Sequence, residues 1–192
     1  FYNNKHTGTF GDLGTFSFNG NKIITTGGGG MIVTNNLDFA KKAKHITTTA
    51  KVPHPYEFNH DQIGYNYRMP NLNAALGCAQ MEKLEEMLFC KKNVAQNWRE
   101  LYNRLDVEFL EPLENTSANY WLNGIVLGSK KERDKFLKYT NDKGVMTRPI
   151  WKLMSNLEMF KDCQNDGLNN SVWLEERVVN IPSSVPDNMI GN

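Results

Sequence analysis

The stretch FSFNGNKIITTGGGGMIV, Phe16 to Val33, places one lysine between a serine-bearing apolar run and four consecutive glycines. Lysine is ordinarily a solvated side chain, yet Ser17, Lys22 and Gly27 to Gly30 are close enough in the chain to share one small site. A phosphate loop of the Walker kind requires GK[ST] after the glycines, and here the lysine precedes them. The dinucleotide pattern GxGxxG opens a helix, whereas Met31, Ile32 and Val33 continue as a strand. Two readings stay open on these residues alone. The glycines form a tight turn beside a solvated lysine, or Lys22 forms a Schiff base with a carbonyl, a role that needs a neutral amine. In the second reading Ser17 offers a hydroxyl to a phosphate, and the glycines let the backbone approach a flat ring.

Working outward, Thr15–Phe18 reads as a short strand, and the β-rich runs Ile23–Thr26 and Met31–Thr34 predict a hairpin-like pair about the glycines. Leu37–His45 has helical spacing with Asn36 as cap. Residues 46–69 form a long polar segment with Pro53, Pro55 and Gly64, and loops of that length usually carry function or contacts. Pro70 suits the first turn of a helix whose stripe is Leu72, Leu76, Ala79 and Leu84, continuing as one long or kinked helix to about Asp106. Beyond it, Val107–Leu110 and Tyr120–Leu127 predict strands, and Ser129 with Glu132 forms a capping box for a helix ended by Gly144. Val145–Trp151 reads as an edge strand broken at Pro149, followed by a helix over Val172–Arg177 and a strand over Val178–Ile181. That order describes a small α+β unit. The expected division is 1–86 and 87–192.

The chain has 192 residues, 22 Lys and Arg against 21 Asp and Glu, and a formal net charge of +1. No basic cluster interleaves with aromatics, so neither nucleic acid nor membrane is an expected partner. Cys78, Cys90 and Cys163 are odd in number and dispersed, which fits a reducing compartment and a cytoplasmic location. The four histidines form no HxxxH pair, and no metal is expected. The chain opens on Phe1 and closes on NIPSSVPDNMIGN, with no helix expected at that end, so it reads as a piece of a longer protein.

Four ordered blocks carry a resemblance. Gly11, Asp12, Ser17, Phe18, Lys22, Gly29 and Gly30 form the first, and IGYNYRMPNLNAALGCAQMEKLE (Ile63–Glu85) the second. TRPIW (Thr147–Trp151) and VVNIPSS (Val178–Ser184) complete the set. Together they resemble the DegT/DnrJ/EryC1/StrS family of pyridoxal-phosphate-dependent nucleotide-sugar aminotransferases. The mixture ITTTAKVPHPYEFNHDQIGYNYR looks closest to members that aminate UDP-4-keto-6-deoxy amino sugars of the legionaminic type.

The resemblance implies an α/β chain of PLP-dependent transferase fold type I. A partial large domain with an interface loop would occupy 1–86, followed by a small α+β C-terminal domain over 87–192. It implies pyridoxal 5'-phosphate as cofactor, held by Lys22 as a Schiff base, with Ser17 on its phosphate and Asn66 reaching a phosphate across a homodimer with shared active sites. An amino-acid donor, commonly glutamate, and a nucleotide-linked keto-deoxy sugar are the implied substrates. Arg68, Arg148, Trp151 and His60 are the expected substrate-side residues, with weaker support for His45, Tyr65 and Tyr67. Lys51 would matter if buried. Family members carry the carboxylate for the pyridine nitrogen and the ring-stacking aromatic upstream of the lysine region, so this chain alone is expected to be catalytically incomplete. The family's dehydratase-like variants usually have histidine at the lysine position, and Lys22 speaks against that variation. The alternative is a catalytically inactive family fragment acting as a binding or dimerisation module.

Overall fold

The strand before the lysine pairs with the strand after the glycines. β1 (Gly14–Ser17) and β2 (Gly30–Val33) are antiparallel, Gly14 opposite Val33 and Ser17 opposite Gly30. The computed structural model describes residues 1–186; the helix-free ending expected over 187–192 lies outside them. The expected strand at Ile23–Thr26 does not form, and β1 takes its place as the partner of β2. The reason is where those residues' polar groups go. The Thr26 N–H donates to the Phe18 carbonyl at 3.1 Å, the Thr25 hydroxyl donates to the same oxygen at 3.0 Å, and the Thr25 N–H donates to Gln80 Oε1 at 3.3 Å. With the N–H groups of Thr25 and Thr26 taken in this way, the second half of the stretch has no donors for a ladder. Gly27 and Gly29, at φ +79° and +92°, turn the chain through the left-handed region that favours glycine. A Cβ at Gly30 would collide with the Phe16 carbonyl oxygen across the hairpin.

α1 (Leu37–Thr47) starts as expected. Asn36 Oδ1 accepts from the N–H groups of Asp38 and Phe39 at 2.9 and 3.2 Å, satisfying two orphan donors of the first turn. Asp38 at its start and Lys44 and His45 at its end match the helix dipole. The segment that follows is pinned beside this helix end. Tyr65 N–H donates to the Ile46 carbonyl at 2.7 Å and Tyr67 N–H to the Thr47 carbonyl at 2.9 Å, around a bridge between Thr48 and Asn66. A second bridge joins Lys51 to His60.

The long helical stretch is a pair, α2 (Asn71–Glu82) and α3 (Leu84–Arg104), with Pro70 at the N-cap just outside the first turn. The apolar stripe expected to bury α2 is not buried: Leu72 is 84 % and Leu76 43 % exposed. The face that packs on the hairpin turn is polar and small instead. Asn73, Gly77 and Gln80 lie four and three residues apart, one side of a helix. Asn73 Nδ2 donates to the Thr26 carbonyl at 2.6 Å, and a Cβ on Gly77 would come within 2.9 Å of Thr26 Cγ2.

The chain forms two compact units, Phe1–Met87 with Leu113–Ala118, and Leu88–Pro112 with the chain from Asn119 onward. The second unit holds a four-stranded antiparallel sheet in the order β3 (Glu108–Phe109), β4 (Asn123–Val126), β6 (Val178–Ile181), β5 (Arg148–Pro149). β5, the strand containing Pro149, lies at the edge, where a residue without an N–H costs no ladder bond. α4 (Lys130–Asp142) has its capping box: Ser129 Oγ accepts from Glu132 N–H at 3.3 Å, while the Glu132 carboxylate accepts from Gly128 N–H rather than from the cap residue's own. α5 (Asn169–Glu175) begins three residues earlier than its apolar pattern indicates. The core joins Ala95 and Tyr102 of α3 to Phe109, Ile125, Val179 and Ile181, with Trp98, Phe136 and Leu137 packed around it. Cys90 is buried as expected of a helical cysteine, whereas Cys78 is exposed. Among the described residues no helix is long and apolar enough to cross a membrane.

One polar cluster is buried in this unit. Lys91 Nζ donates to the carbonyls of Trp121 and Ser183 at 3.1 and 2.5 Å, and Trp98 Nε1 donates to the Pro182 carbonyl at 2.8 Å. Burial pushes the Lys91 ammonium below its ordinary pKa. Asn123 donates its backbone N–H to Ser183 Oγ at 2.8 Å. α3 thereby fixes the exit of β6.

Candidate active site

Ser17 is the last residue of β1 and Lys22 lies in the turn that follows, so both chemical groups sit on one short excursion from the hairpin. The excursion is organised by Asn19. Its N–H donates to Ser17 Oγ at 3.3 Å, its carbonyl accepts from Lys22 N–H at 3.0 Å, and its amide donates to Asn21 Oδ1 at 3.3 Å. Ser17 is exposed and Lys22 half-buried. Behind Lys22 the turn is braced: Thr26 is buried, its hydroxyl bonds the Gly28 carbonyl, and Asn73 and Gln80 of α2 hold it from the other side. Asn19, Thr26, Asn73 and Gln80 were not singled out by the sequence pattern. The signal available for the helix pair was their spacing with Gly77, which marks a face too small and polar for an ordinary core.

A groove of about 950 Å³ runs over Phe16, the glycines Gly28 to Gly30, Val33, Arg68 and Asn73. Lys22, Ser17 and Asn66 do not line it, whereas Arg68 does. Asn66 is exposed and bridges to Thr48; Tyr65 and Tyr67, on either side of it, stack with ring centroids 5.2 Å apart. His60 Nδ1 bonds the Thr49 carbonyl at 2.7 Å, which fixes its ring. His45 Nε2 lies 2.7 Å from Asp61 Oδ1, and that hydrogen bond holds the Asp61 carboxyl below the usual carboxylate range. Lys51 is half-buried, with its ammonium 3.9 Å from the centre of the Phe58 ring.

Arg148 and Trp151 belong to the second unit. Arg148 is exposed, and its guanidinium donates to Asn141 Oδ1 and to the Thr147 carbonyl, both at 2.9 Å. Trp151 is 68 % exposed and stacks against Trp121 with centroids 6.3 Å apart. The first unit thus brings together Ser17, Lys22 and their turn, and separately Asn66, Arg68 and the end of α1.

The donor set on the lysine turn fits an aldehyde-bearing phosphate ester. A primary amine and an exposed hydroxyl leave the same short loop, and Gly28 beyond them has open space where a side chain would go. Sequence comparison agrees on the family: the model of the DegT/DnrJ/EryC1/StrS aminotransferase family matches residues 1–187. The chain belongs to that family.

Among relatives of this DegT-family chain, GDP-perosamine synthase of Escherichia coli O157:H7 is 36% identical over 161 residues, covering 84% of this chain and 44% of that protein. GDP-perosamine synthase of Vibrio cholerae is 34% identical over 186 residues, covering 94% of this chain and 50% of that protein. The chain spans about half the length of the curated relatives it matches. Its fold is shared with Helicobacter pylori PseC, an aminotransferase involved in the biosynthesis of pseudoaminic acid. The TM-score is 0.87 at 21% identity, over 95% of this chain and 50% of that one.

Proposed function

We propose that this chain is the lysine-bearing part of a PLP-dependent aminotransferase that moves an amino group from an amino acid, with glutamate the expected donor, to a nucleotide-linked keto-deoxy sugar. The observation that carries this reading is the lysine turn: Lys22 and Ser17 on one loop, braced by Thr26, Asn73 and Gln80, in a chain of this family. Pyridoxal 5'-phosphate, when bound, supplies an aldehyde that exchanges amines and a ring that withdraws electrons from the adjacent carbon. Lys22 would hold that aldehyde through Nζ and, once displaced by the donor, take the proton from the donor's α-carbon. Ser17 would hold the phosphate through its hydroxyl. Asn66 and Arg68 lie on the segment that would approach a second copy of the chain, consistent with a homodimer whose sites are shared.

His60, Arg148 and Trp151 would face the acceptor. In the same reading the first unit is part of a fold-type-I large domain, and the protein acts in the cytoplasm. The relatives above are named for a GDP-linked sugar. A UDP-linked 4-keto-6-deoxy amino sugar of the legionaminic type is the narrower acceptor proposed here, on the stretch ITTTAKVPHPYEFNHDQIGYNYR. Incubation of the longest natural form of the protein with pyridoxal phosphate, borohydride reduction and peptide mapping tests the core of the reading. The expected result is an adduct on the Lys22 peptide that is lost in Lys22→Ala. No adduct, or one on another lysine, overturns it, and GDP- and UDP-linked keto sugars assayed side by side decide the acceptor.

A further inference from the structure

The dipeptide Asn-Gly occurs twice in the chain, as Asn19–Gly20 and as Asn123–Gly124. Glycine after asparagine leaves the next backbone nitrogen unshielded and the backbone free to bend, so that nitrogen can close on the side-chain amide carbon. Whether it does so depends on the surroundings, and the two copies differ in every respect that matters.

Asn19 and Gly20 are both exposed, in the loop between Ser17 and Lys22. The Asn19 carbonyl accepts from Lys22 N–H, which makes Asn19 the first residue of a four-residue turn. In such a turn the N–H of the second residue takes no part in the closing bond. Among the described residues Gly20 N–H donates to no partner, and a Cβ on Gly20 would meet nothing within 4 Å. Asn123, by contrast, is 2 % exposed, lies in β4 between β3 and β6, and gives its side-chain amide to Ser183 Oγ at 3.3 Å. Held in a ladder and away from water, it is protected. Asparagine and glycine are ordinary turn residues, and turn formation alone accounts for their presence at 19 and 20. It does not protect the amide, whose exposure beside a free backbone nitrogen decides its fate.

We propose that Asn19 is a site of spontaneous deamidation, and that the modification weakens the lysine turn's hold on its cofactor; the second part rests on the roles of Ser17 and Lys22 proposed above. Gly20 N bonds to Asn19 Cγ as the Cγ–Nδ2 bond breaks, and the Gly20 proton leaves with the amide nitrogen as ammonia. Water then opens the cyclic imide at either carbonyl, giving aspartate or isoaspartate. Nothing is oxidised or reduced, and one water is consumed for each ammonia released. Either product puts a carboxylate between Ser17 and Lys22 and cancels the chain's formal net charge of +1. A negative charge there repels the phosphate that Ser17 would hold. The isoaspartate also adds a methylene to the backbone and turns the carbonyl that accepts from Lys22 N–H into a free carboxylate.

The test is peptide mapping of the longest natural form of the protein during incubation at mildly alkaline pH, with enzymatic labelling of isoaspartate. The Asn19–Gly20 peptide should convert to aspartate and isoaspartate forms while the Asn123–Gly124 peptide stays intact. Gly20→Ala, whose added methyl meets open space, should keep the parent's melting temperature and lose most of that conversion. Asn19→Asp, which carries the carboxylate from the start, should need roughly tenfold more pyridoxal phosphate for the same borohydride trapping on Lys22. No conversion at Asn19, conversion of Asn123 at the same pace, or an undiminished rate in Gly20→Ala overturns the site. Unchanged trapping in Asn19→Asp overturns its effect on the cofactor. If fresh parent protein traps no cofactor on Lys22 while Asn19 still converts, the modification site stands and the aminotransferase reading falls.

Discussion

Asn73 Nδ2 donates to the Thr26 carbonyl at 2.6 Å, joining the first turn of α2 to the chain between Lys22 and the glycines. The bond satisfies a carbonyl on a buried threonine, so Asn73→Ala should cost about 1–3 kcal/mol. Because the turn also presents Lys22, the variant should trap less cofactor at limiting concentration while Lys22 itself is intact. Thermal melting and borohydride trapping on the same sample check both effects.

On the proposed assignment, the lysine turn separates anchoring from chemistry. Lys22→Ala should abolish amino transfer by the full enzyme, whereas Ser17→Ala should weaken cofactor affinity roughly tenfold with turnover at saturating cofactor largely kept, one hydrogen bond to a charged group being worth about 1.5–3 kcal/mol. Titrating activity against pyridoxal phosphate distinguishes the two patterns.

Gly29 tests the hairpin end. At φ +92° an L side chain is strained, and Gly29→Ala should destabilise by about 1–2 kcal/mol. Gly28 has open space where a Cβ would go, so Gly28→Ala is the matched control and should change the melting temperature little.

Lys91 makes a pH-dependent contribution. Its ammonium sits below the ordinary value of 10.5, so the native protein releases that proton at a lower pH than the unfolded chain does. Between the native value and 10.5 the unfolded chain binds more protons, and stability from this group rises with pH across that window. Urea unfolding over the alkaline range should show the rise, and Lys91→Met should remove it.

Asp61 acts at the acid end. Its carboxyl is held below the model-peptide value of 3.8 by His45, so the native state holds its proton less tightly than the unfolded state. The contribution is present above 3.8 and lost as pH falls through the native value. Asp61→Asn should flatten that part of the acid-unfolding curve.

Features decided within a few residues were legible in the sequence. The Asn36 cap, the Ser129–Glu132 box and the edge position of Pro149 each follow from local hydrogen-bonding or its impossibility. Pairing was not local. Ile23–Thr26 has strand composition, but Phe18, Gln80 and Asn73 claim its polar groups, and the last two are more than forty residues away. Leu72 and Leu76 have the spacing of a buried stripe, yet the neighbour of α2 in its unit is a turn carrying Thr26, which meets Asn73 and Gly77. The groove that Lys41 and Lys44 line with Lys51, His54 and Arg68 was not legible either, because on α1 alone the two lysines look like ordinary helix solvation. The turn carrying Ser17 and Lys22 was visible as a motif; the Asn19 bonds that shape it were not.

All four tryptophans fall in the second unit: Trp98 beside the core, Trp121 stacked on Trp151, and Trp173 under the Arg177 guanidinium. The first unit, which carries Lys22, contains tyrosines but no tryptophan. Indole emission, excited beyond tyrosine absorption, therefore reports the unfolding of one unit alone, while the colour of a cofactor bound at Lys22 would report the other. The protein carries two optical channels, one for each half, without any added label.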